Sequence, residues 1–181
     1  MHVSLDGFVA GPNGEMDWIM VDEELFDIAS ERTHASDAAL YGRKTWQMMD
    51  AYWPTADQGP SPSKHSREHA PWYRSVDKYV ISNTIKSDPS KKVIAIGGDL
   101  EKQVNEIKNG EGKEILIFGS PSAGQSLARL GLVDEYWLFI NPILLGKGIP
   151  MFNGQKGITK MKLLKTHTLK NGIVCLNHEK I

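Results

Sequence analysis

The sequence predicts an α/β fold: about eight strands in a mostly parallel sheet, helices flanking it, and a C-terminal antiparallel hairpin. Three observations predict it. Short runs rich in Val, Ile, Ala and Tyr alternate with segments whose apolar residues recur at helical spacing, the pattern of parallel strands joined by crossover helices. Several of these runs are apolar throughout, as strands covered on both faces are. Near the end, Asn171-Gly172 separates two β-prone runs and is the favoured two-residue hairpin turn. A length of 181 residues fits one domain, so residues 1–181 read as a single domain.

The first strand covers residues 3–10, is interrupted by Asp6-Gly7, and runs into the turn formers Gly11-Pro12-Asn13-Gly14. Because the chain begins almost inside this strand, either the strand is short or the natural start lies upstream. Asp22 caps a helix with an acidic first turn, and Leu25, Phe26, Ile28 and Ala29 give it an apolar face to about residue 35. A buried strand at 38–41 follows. Gly42-Arg43-Lys44-Thr45-Trp46 opens a second helix, which Pro54 ends. Residues 50–75, rich in Pro, Ser and His, read as a long loop, and loops of that length are more often functional than idle. Strands at 79–81 and 93–96, an amphipathic helix at 100–108 and a strand at 115–118 continue the alternation. Ser120-Pro121, a cap and a first-turn proline, opens a helix that runs to Leu130 with Gly131 as its stop. A strand at 135–140 and a hairpin of 162–169 with 173–179 bring the count to about eight strands and four helices.

Lys and Arg total 21 against 22 Asp and Glu, leaving no cationic excess to release counterions from nucleic acid or an anionic membrane. The single cysteine, Cys175, excludes an internal disulfide and a site of several thiolates, and reads as a small buried side chain. No apolar run nears the roughly 20 residues that cross a bilayer, and the N-terminus lacks the regions of a signal peptide. The expectation is a soluble, cytoplasmic protein that meets a small-molecule substrate and neither nucleic acid nor membrane. His65 and His69 stand at i, i+4 with no suitable acidic partner beyond Glu68, so they read as surface histidines and no metal is expected. Gly97-Gly98 lacks the spacing of a dinucleotide fingerprint and reads as a turn. Neither H-x-E nor P-C-x-x-C occurs, which excludes a zinc deaminase. The apolar run Tyr136-Trp137-Leu138-Phe139-Ile140 and the edge hairpin lead to the expectation of a homodimer, with complete internal burial as the alternative.

In open α/β sheets ligands bind outside the carboxyl ends of strands, and two such junctions stand out. Arg43 and Lys44 occupy a helix start, where the macrodipole disfavours each cation by about 0.3–1 kcal/mol. A bound phosphate reverses that sign, and free amides with the Thr45 hydroxyl complete an anion site. A solvated basic turn is the plain alternative. Phe118-Gly119-Ser120-Pro121-Ser122-Ala123-Gly124 puts glycine at a strand end and small residues through a first helical turn, which lets a pyrophosphate approach the backbone; an ordinary N-cap accounts for it equally well. Ser82-Asn83-Thr84-Ile85-Lys86 is a turn by itself, and beside the other two it suits the 2′-phosphate of NADPH.

The segments SLDGFVAGPNGEMDW at 4–18, LYGRKTW at 40–46, KYVISNT at 78–84 and LIFGSPSAGQSLARLGLVDEYWLFINPILLGKGIPMF at 116–152 occur in this order across nearly the whole chain. Together they resemble the dihydrofolate-reductase-like superfamily, most closely the branch related to the C-terminal reductase domain of the bifunctional riboflavin-biosynthesis deaminase-reductase. The resemblance implies NADPH as cofactor. It implies that Val9 and Ala10 lie near the nicotinamide and that Gly42, Arg43, Lys44 and Thr45 hold phosphates. Ser82, Asn83 and Thr84 surround the adenosine end on the same grounds, and Gly119, Ser120, Pro121, Ser122 and Ala123 wrap the pyrophosphate. Many relatives carry Gly-Gly where this chain has Gly119-Ser120, so an unusual peptide geometry at that bond is in doubt.

The implied reaction is hydride transfer from NADPH to a polarised C=N or C=O bond of a small heterocycle or pyrimidine-type substrate, as in 5-amino-6-(5-phosphoribosylamino)uracil reductase. Asp6 and Trp18 are the candidates for a catalytic role, although Asp6 also fits as a turn cap and Trp18 as core. Asp17 flanks the same loop. No motif fixes the register of Glu23 or Asp27, so neither is named as a proton donor, which disfavours true folate reduction. A non-catalytic nucleotide-binding protein is the competing reading.

Overall fold

An apolar run without alternation has to be covered on both faces, and residues 38–41 are all buried in a computed structural model that describes residues 1–155 and 157–181. In chain order the elements are β1 (His2–Ser4), β2 (Phe8–Ala10), α1 (Glu23–Ala35), β3 (Ser36–Gly42), α2 (Arg43–Tyr52), α3 (Lys64–Ser75), β4 (Asp77–Ile81), β5 (Val93–Ile96), α4 (Leu100–Lys108), β6 (Glu114–Ile117), α5 (Pro121–Arg129), β7 (Glu135–Asn141), β8 (Ile149–Pro150), β9 (Met161–Thr168) and β10 (Val174–Lys180). They gather into two compact units, Glu23–Ser120 and Met1–Asp22 with Pro121–Ile181. The α/β class holds. Among the described residues the strands pair as two four-stranded sheets and a two-stranded ribbon.

In Glu23–Ser120 the sheet order is β5-β4-β3-β6 with every pair parallel. Register brings Gly42 level with Ile81, and Ile81 level with Ile96, so the carboxyl ends line up along one edge. α1 keeps the predicted acidic first turn, Glu23 and Glu24, which suits the positive end of the helix dipole.

Residues 50–75 are not a loop. Trp53–Thr55 is a 3-10 turn and α3 follows, its Ser63 cap accepting from the Ser66 N–H at 3.0 Å. Pro71 inside the helix and a polar composition hide it from local reading. Tertiary burial overrides them, since Ser66, His69, Ala70 and Tyr73 are all buried. α3 is tied to α1 by the Lys64–Asp27 ion pair, by the Ser30 hydroxyl donating to Glu68 at 2.8 Å, and by Phe26 stacked on His65 at 4.1 Å. His69 is therefore no surface histidine. Its ring lies among Trp53, Trp72, Phe118 and His65 at centroid distances of 4.0, 5.1, 5.5 and 5.2 Å, and neither nitrogen has a hydrogen-bond partner.

Lys78 is also buried, in β4, and its ammonium donates to the Tyr73 and Val76 carbonyls at 2.7 and 2.8 Å. It thereby satisfies carbonyls at the end of α3, while burial pushes its amine down to about 8.

In the other unit the order is β1-β7-β10-β9, with β1 parallel to β7 and the remaining pairs antiparallel. The strand expected over 3–10 is two strands, because Gly7 turns with φ +86 and its N–H donates to the Ser4 carbonyl at 3.0 Å. β2 pairs with β8 instead. The expected Gly131 stop is present, with φ +70 and Leu132 N–H donating back to Leu127 at 3.0 Å. The final hairpin holds, but its turn differs from the two-residue form. Leu169 N–H donates to Ile173 O at 2.9 Å around three residues, and Gly172 has φ +89 while Asn171 has no positive φ, which the two-residue Asn-Gly turn requires. No helix among the described residues is long and apolar enough to cross a membrane.

Burial, with the nearby His65 charge second, pushes the His69 imidazole down to about 3 from an ordinary 6.5. The unfolded chain takes up this proton first, so the stability contributed by neutral His69 is whole above about pH 6.5 and is lost as pH falls toward 3. That loss reaches on the order of 2 kcal/mol by pH 4.5. His69→Phe keeps a ring in the box without the proton site. Urea unfolding at pH 7 and pH 4.5 should show a smaller acid loss in this variant, and an unchanged loss would rule the assignment out.

Candidate cofactor site

The carboxyl edge of the parallel sheet carries four strand exits: Gly42 after β3, Ser82 after β4, Gly97 after β5, and Phe118-Gly119 after β6. At the first, Gly42 is an extended N-cap without a side-chain cap, and α2 begins with Arg43 and Lys44 and no acidic residue. The Gly42 N–H donates to the Ser120 hydroxyl at 2.9 Å, tying the β6 exit to the start of α2. Arg43 donates to the Thr84 hydroxyl at 3.0 Å. The Ser82 hydroxyl in turn accepts from the Thr84 and Ile85 amides, each at 3.1 Å. Three junctions far apart in sequence are thus hydrogen-bonded or in register with one another, and they hold Gly42, Arg43, Lys44, Thr45, Ser82, Asn83, Thr84, Gly119 and Ser120 in one unit.

Gly119 and Ser120 are left-handed in succession, with φ 54 and 57. Glycine adopts this freely, but a non-glycine residue there costs about 1–3 kcal/mol and persists only where its surroundings over-determine it. Ser120 is buried and anchored by Gly42. No peptide bond among the described residues is cis.

One contributor was missed. Gly97-Gly98 is a turn, as expected, but a Cβ on Gly97 would overlap the Asn83 carboxamide oxygen and stand 3.1 Å from the Ser82 carbonyl. Its N–H donates to Gln103 Oε1 at 2.8 Å. Glycine here makes room for the Ser82-Asn83 turn. The only sequence signal was a glycine pair at a strand exit.

The remaining expected residues lie in the other unit. Val9 and Ala10 are buried on β2, and Gly148 packs so closely on the Ala10 carbonyl that a Cβ would overlap it. Pro121, Ser122 and Ala123 form the first turn of α5, where proline's missing N–H is harmless. Asp6 accepts from the Ser4 hydroxyl at 2.6 Å and from the Leu145 and Gly146 amides at 3.2 and 2.7 Å. Those bonds, the Ser4 hydroxyl first, hold its carboxyl below the usual range. Trp18 is half-buried and its indole N–H donates to the Glu15 carbonyl at 3.1 Å. Both catalytic candidates are therefore engaged in loop structure. On α1, Asp27 pairs with Lys64.

Residues 1–175 match the family model of the RibD C-terminal domain. The chain belongs to that family. It is 34% identical over 174 residues to the Uncharacterized protein YyaP of Bacillus subtilis (strain 168), covering 96% of this chain and 89% of that one. Among solved structures it resembles a diaminohydroxyphosphoribosylaminopyrimidine deaminase/5-amino-6-(5-phosphoribosylamino)uracil reductase from Thermotoga maritima, with TM-score 0.67, 17% identity, and coverage of 99% of this chain and 55% of that one. It therefore spans about half of the bifunctional enzyme. It also resembles the dihydrofolate reductase of Enterococcus faecalis complexed with NADP(H) and RAB-propyl, with TM-score 0.60, 13% identity, and coverage of 99% and 92%. At these identities the structures speak for the fold alone, and that fold is dihydrofolate-reductase-like, as the motif order implies.

The left-handed φ of Ser120 reverses an ordinary ranking in this RibD C-terminal domain. Ser120→Ala and Ser120→Gly both lose the bond from Gly42, about 1 kcal/mol, but only glycine relieves the strained backbone. Ser120→Gly should unfold at higher urea than Ser120→Ala. The opposite order would show that the strain is not there.

Proposed function

We propose that this chain is an NADPH-dependent reductase that reduces a small heterocyclic, pyrimidine-type substrate in the cytoplasm, akin to 5-amino-6-(5-phosphoribosylamino)uracil reductase. The observation that carries the proposal is the cationic start of α2 beside the Thr84 and Ser82 hydroxyls at the carboxyl edge of the sheet. Two cations at the positive end of a helix are unfavourable until an anion sits between them. In this reading Arg43, Lys44 and Thr45 hold phosphate, with Gly42 as the extended residue that starts the helix. Ser82, Asn83 and Thr84 take the adenosine end. The left-handed pair Gly119-Ser120 and the α5 start at Pro121, Ser122 and Ala123 supply a pyrophosphate-binding backbone. Val9 and Ala10 take the nicotinamide end. The cofactor supplies the hydride, and the chain binds, orients and excludes water.

Membership in the RibD C-terminal family and the reductase named in the Thermotoga maritima enzyme support this reading. A nucleotide-binding protein without turnover is the second reading, favoured by Asp6 and Trp18 being engaged in loop contacts. Folate reduction is disfavoured because neither Glu23 nor Asp27 is fixed as a proton donor, and Asp27 is turned to the exposed Lys64 ammonium.

Calorimetric titration tests the cofactor. NADPH should bind at least about tenfold more tightly than NADH, since the 2′-phosphate adds charge-assisted hydrogen bonds. Arg43→Ala should erase that preference if it reaches the 2′-phosphate, or weaken both cofactors alike if it holds the shared pyrophosphate. Equal wild-type affinities would refute the selectivity. Steady consumption of NADPH with a pyrimidine-type substrate then separates the reductase from the silent binder.

We further propose a homodimer. Both edges of β7 are taken by β1 and β10, so Tyr136-Trp137-Leu138-Phe139-Ile140 lies inside its sheet and, among the described residues, β9 is the edge on the hairpin side. Leu163 and Leu164 on β9 are 53% and 43% exposed, and β9 pairing with its two-fold mate would cover them. Light scattering at micromolar concentration should give twice the monomer mass. A monomer mass would remove the proposal.

A further inference from the structure

We infer that Asp6 is a positioning residue for the nicotinamide end of the cofactor, acting through the 142–148 loop on the backbone at Ala10. The inference rests on the NADPH reading above and goes beyond it by giving a role to a residue whose hydrogen bonds run to Ser4, Leu145 and Gly146.

A carboxylate in a tight turn usually caps its own turn. Asp6 does so only in part, through the Ser4 hydroxyl at 2.6 Å. Its other two bonds reach 139 and 140 residues along the chain, to the amides of Leu145 and Gly146. Two successive amides meet one carboxylate because Gly146 is left-handed, with φ +72. The Ser4 hydroxyl also accepts from the Phe8 N–H at 3.0 Å, so the same relay fixes the start of β2.

The turn and the loop are stitched on both sides of this clamp. Leu5 N–H donates to the Ile143 carbonyl at 2.8 Å, and Met151 N–H donates to the Gly7 carbonyl at 2.8 Å. At the end of the loop Gly148 lies against Ala10 with no room for a Cβ, which would also stand 3.3 Å from the Phe8 Cβ. Packing this tight transmits displacement, so the backbone at Ala10 stands where Gly148 lets it stand. Asp6 decides where the loop that carries Gly148 is held. An ionised carboxylate suits the task because it only accepts, and all three of its partners donate. An asparagine would turn an NH₂ group toward at least one of those donors.

The alternative is a clamp that serves stability alone, and two probes separate the roles. NADPH and adenosine 2′,5′-bisphosphate share the adenosine and its 2′-phosphate, but only NADPH has the nicotinamide. Both are titrated calorimetrically into the full wild-type chain and into Asp6→Asn and Asp6→Ala, with amide hydrogen exchange at Leu145 and Gly146 reporting release of the loop. In Asp6→Asn, exchange at those amides should rise, NADPH affinity should fall about tenfold or more, and bisphosphate affinity should change less than about twofold. If Asp6→Ala fails to fold, the Asn variant, which keeps part of the acceptor set, carries the test. Equal losses for the two probes, or loss for neither, would overturn the positioning role while leaving the NADPH reading intact. A wild-type chain that binds neither probe would overturn the NADPH reading, and this inference with it.

Discussion

Parallel register between β3 and its neighbours β4 and β6 is the constraint on which the candidate cofactor site depends. It brings Gly42 level with Ile81, and Leu40 level with Ile117, so the exits of these strands share one edge. Cross-links between the exits then become short. Ser120 reaches the Gly42 amide and Arg43 reaches Thr84, contacts spanning 78 and 41 residues of chain. A slip of register by one residue would offset the strand ends and separate these groups at once. The left-handed Ser120 fits the same logic, since a strained residue survives where its neighbours leave it one place to be.

The register also has to be held from outside the sheet, and α3 does much of that with unusual materials. Lys78 in β4 places its ammonium under the last carbonyls of α3, so one buried charge joins strand to helix. Its hydrogen bonds and the Tyr73 ring at 4.8 Å offset the desolvation. His69 has no such partners. It contributes as a neutral ring packed among aromatic side chains, which makes the same contact favourable near neutral pH and unfavourable in acid.

The other unit is organised around loops. Asp6 and the Leu5 N–H fasten the β1–β2 turn to the 142–148 loop, and the buried Asn141 accepts from the Met20 N–H at 3.2 Å while donating to the Phe139 carbonyl at 2.9 Å. These side-chain bonds give irregular segments the definition that ladder hydrogen bonds give strands. β2 has three residues, and its place is set by its pairing with β8 and by the close approach of Gly148.

The sequence by itself determined the α/β class, the helices α1, α2, α4 and α5, the parallel strands and the three glycine- or hydroxyl-rich exits, because each carries its signal within a few residues: apolar period, cap, stop or turn former. It also carried the family, through four motifs in order. Only the tertiary structure decided what depends on partners distant in the chain. α3 is a helix despite Pro71 because its buried face meets Trp53 and Phe118, and His69 is core for the same reason. Gly97 matters because Asn83 stands where a Cβ would be. Asp6, read from sequence as a catalytic candidate or a turn cap, bonds amides 139 and 140 residues away, and no local pattern encodes which distant N–H groups a carboxylate will meet.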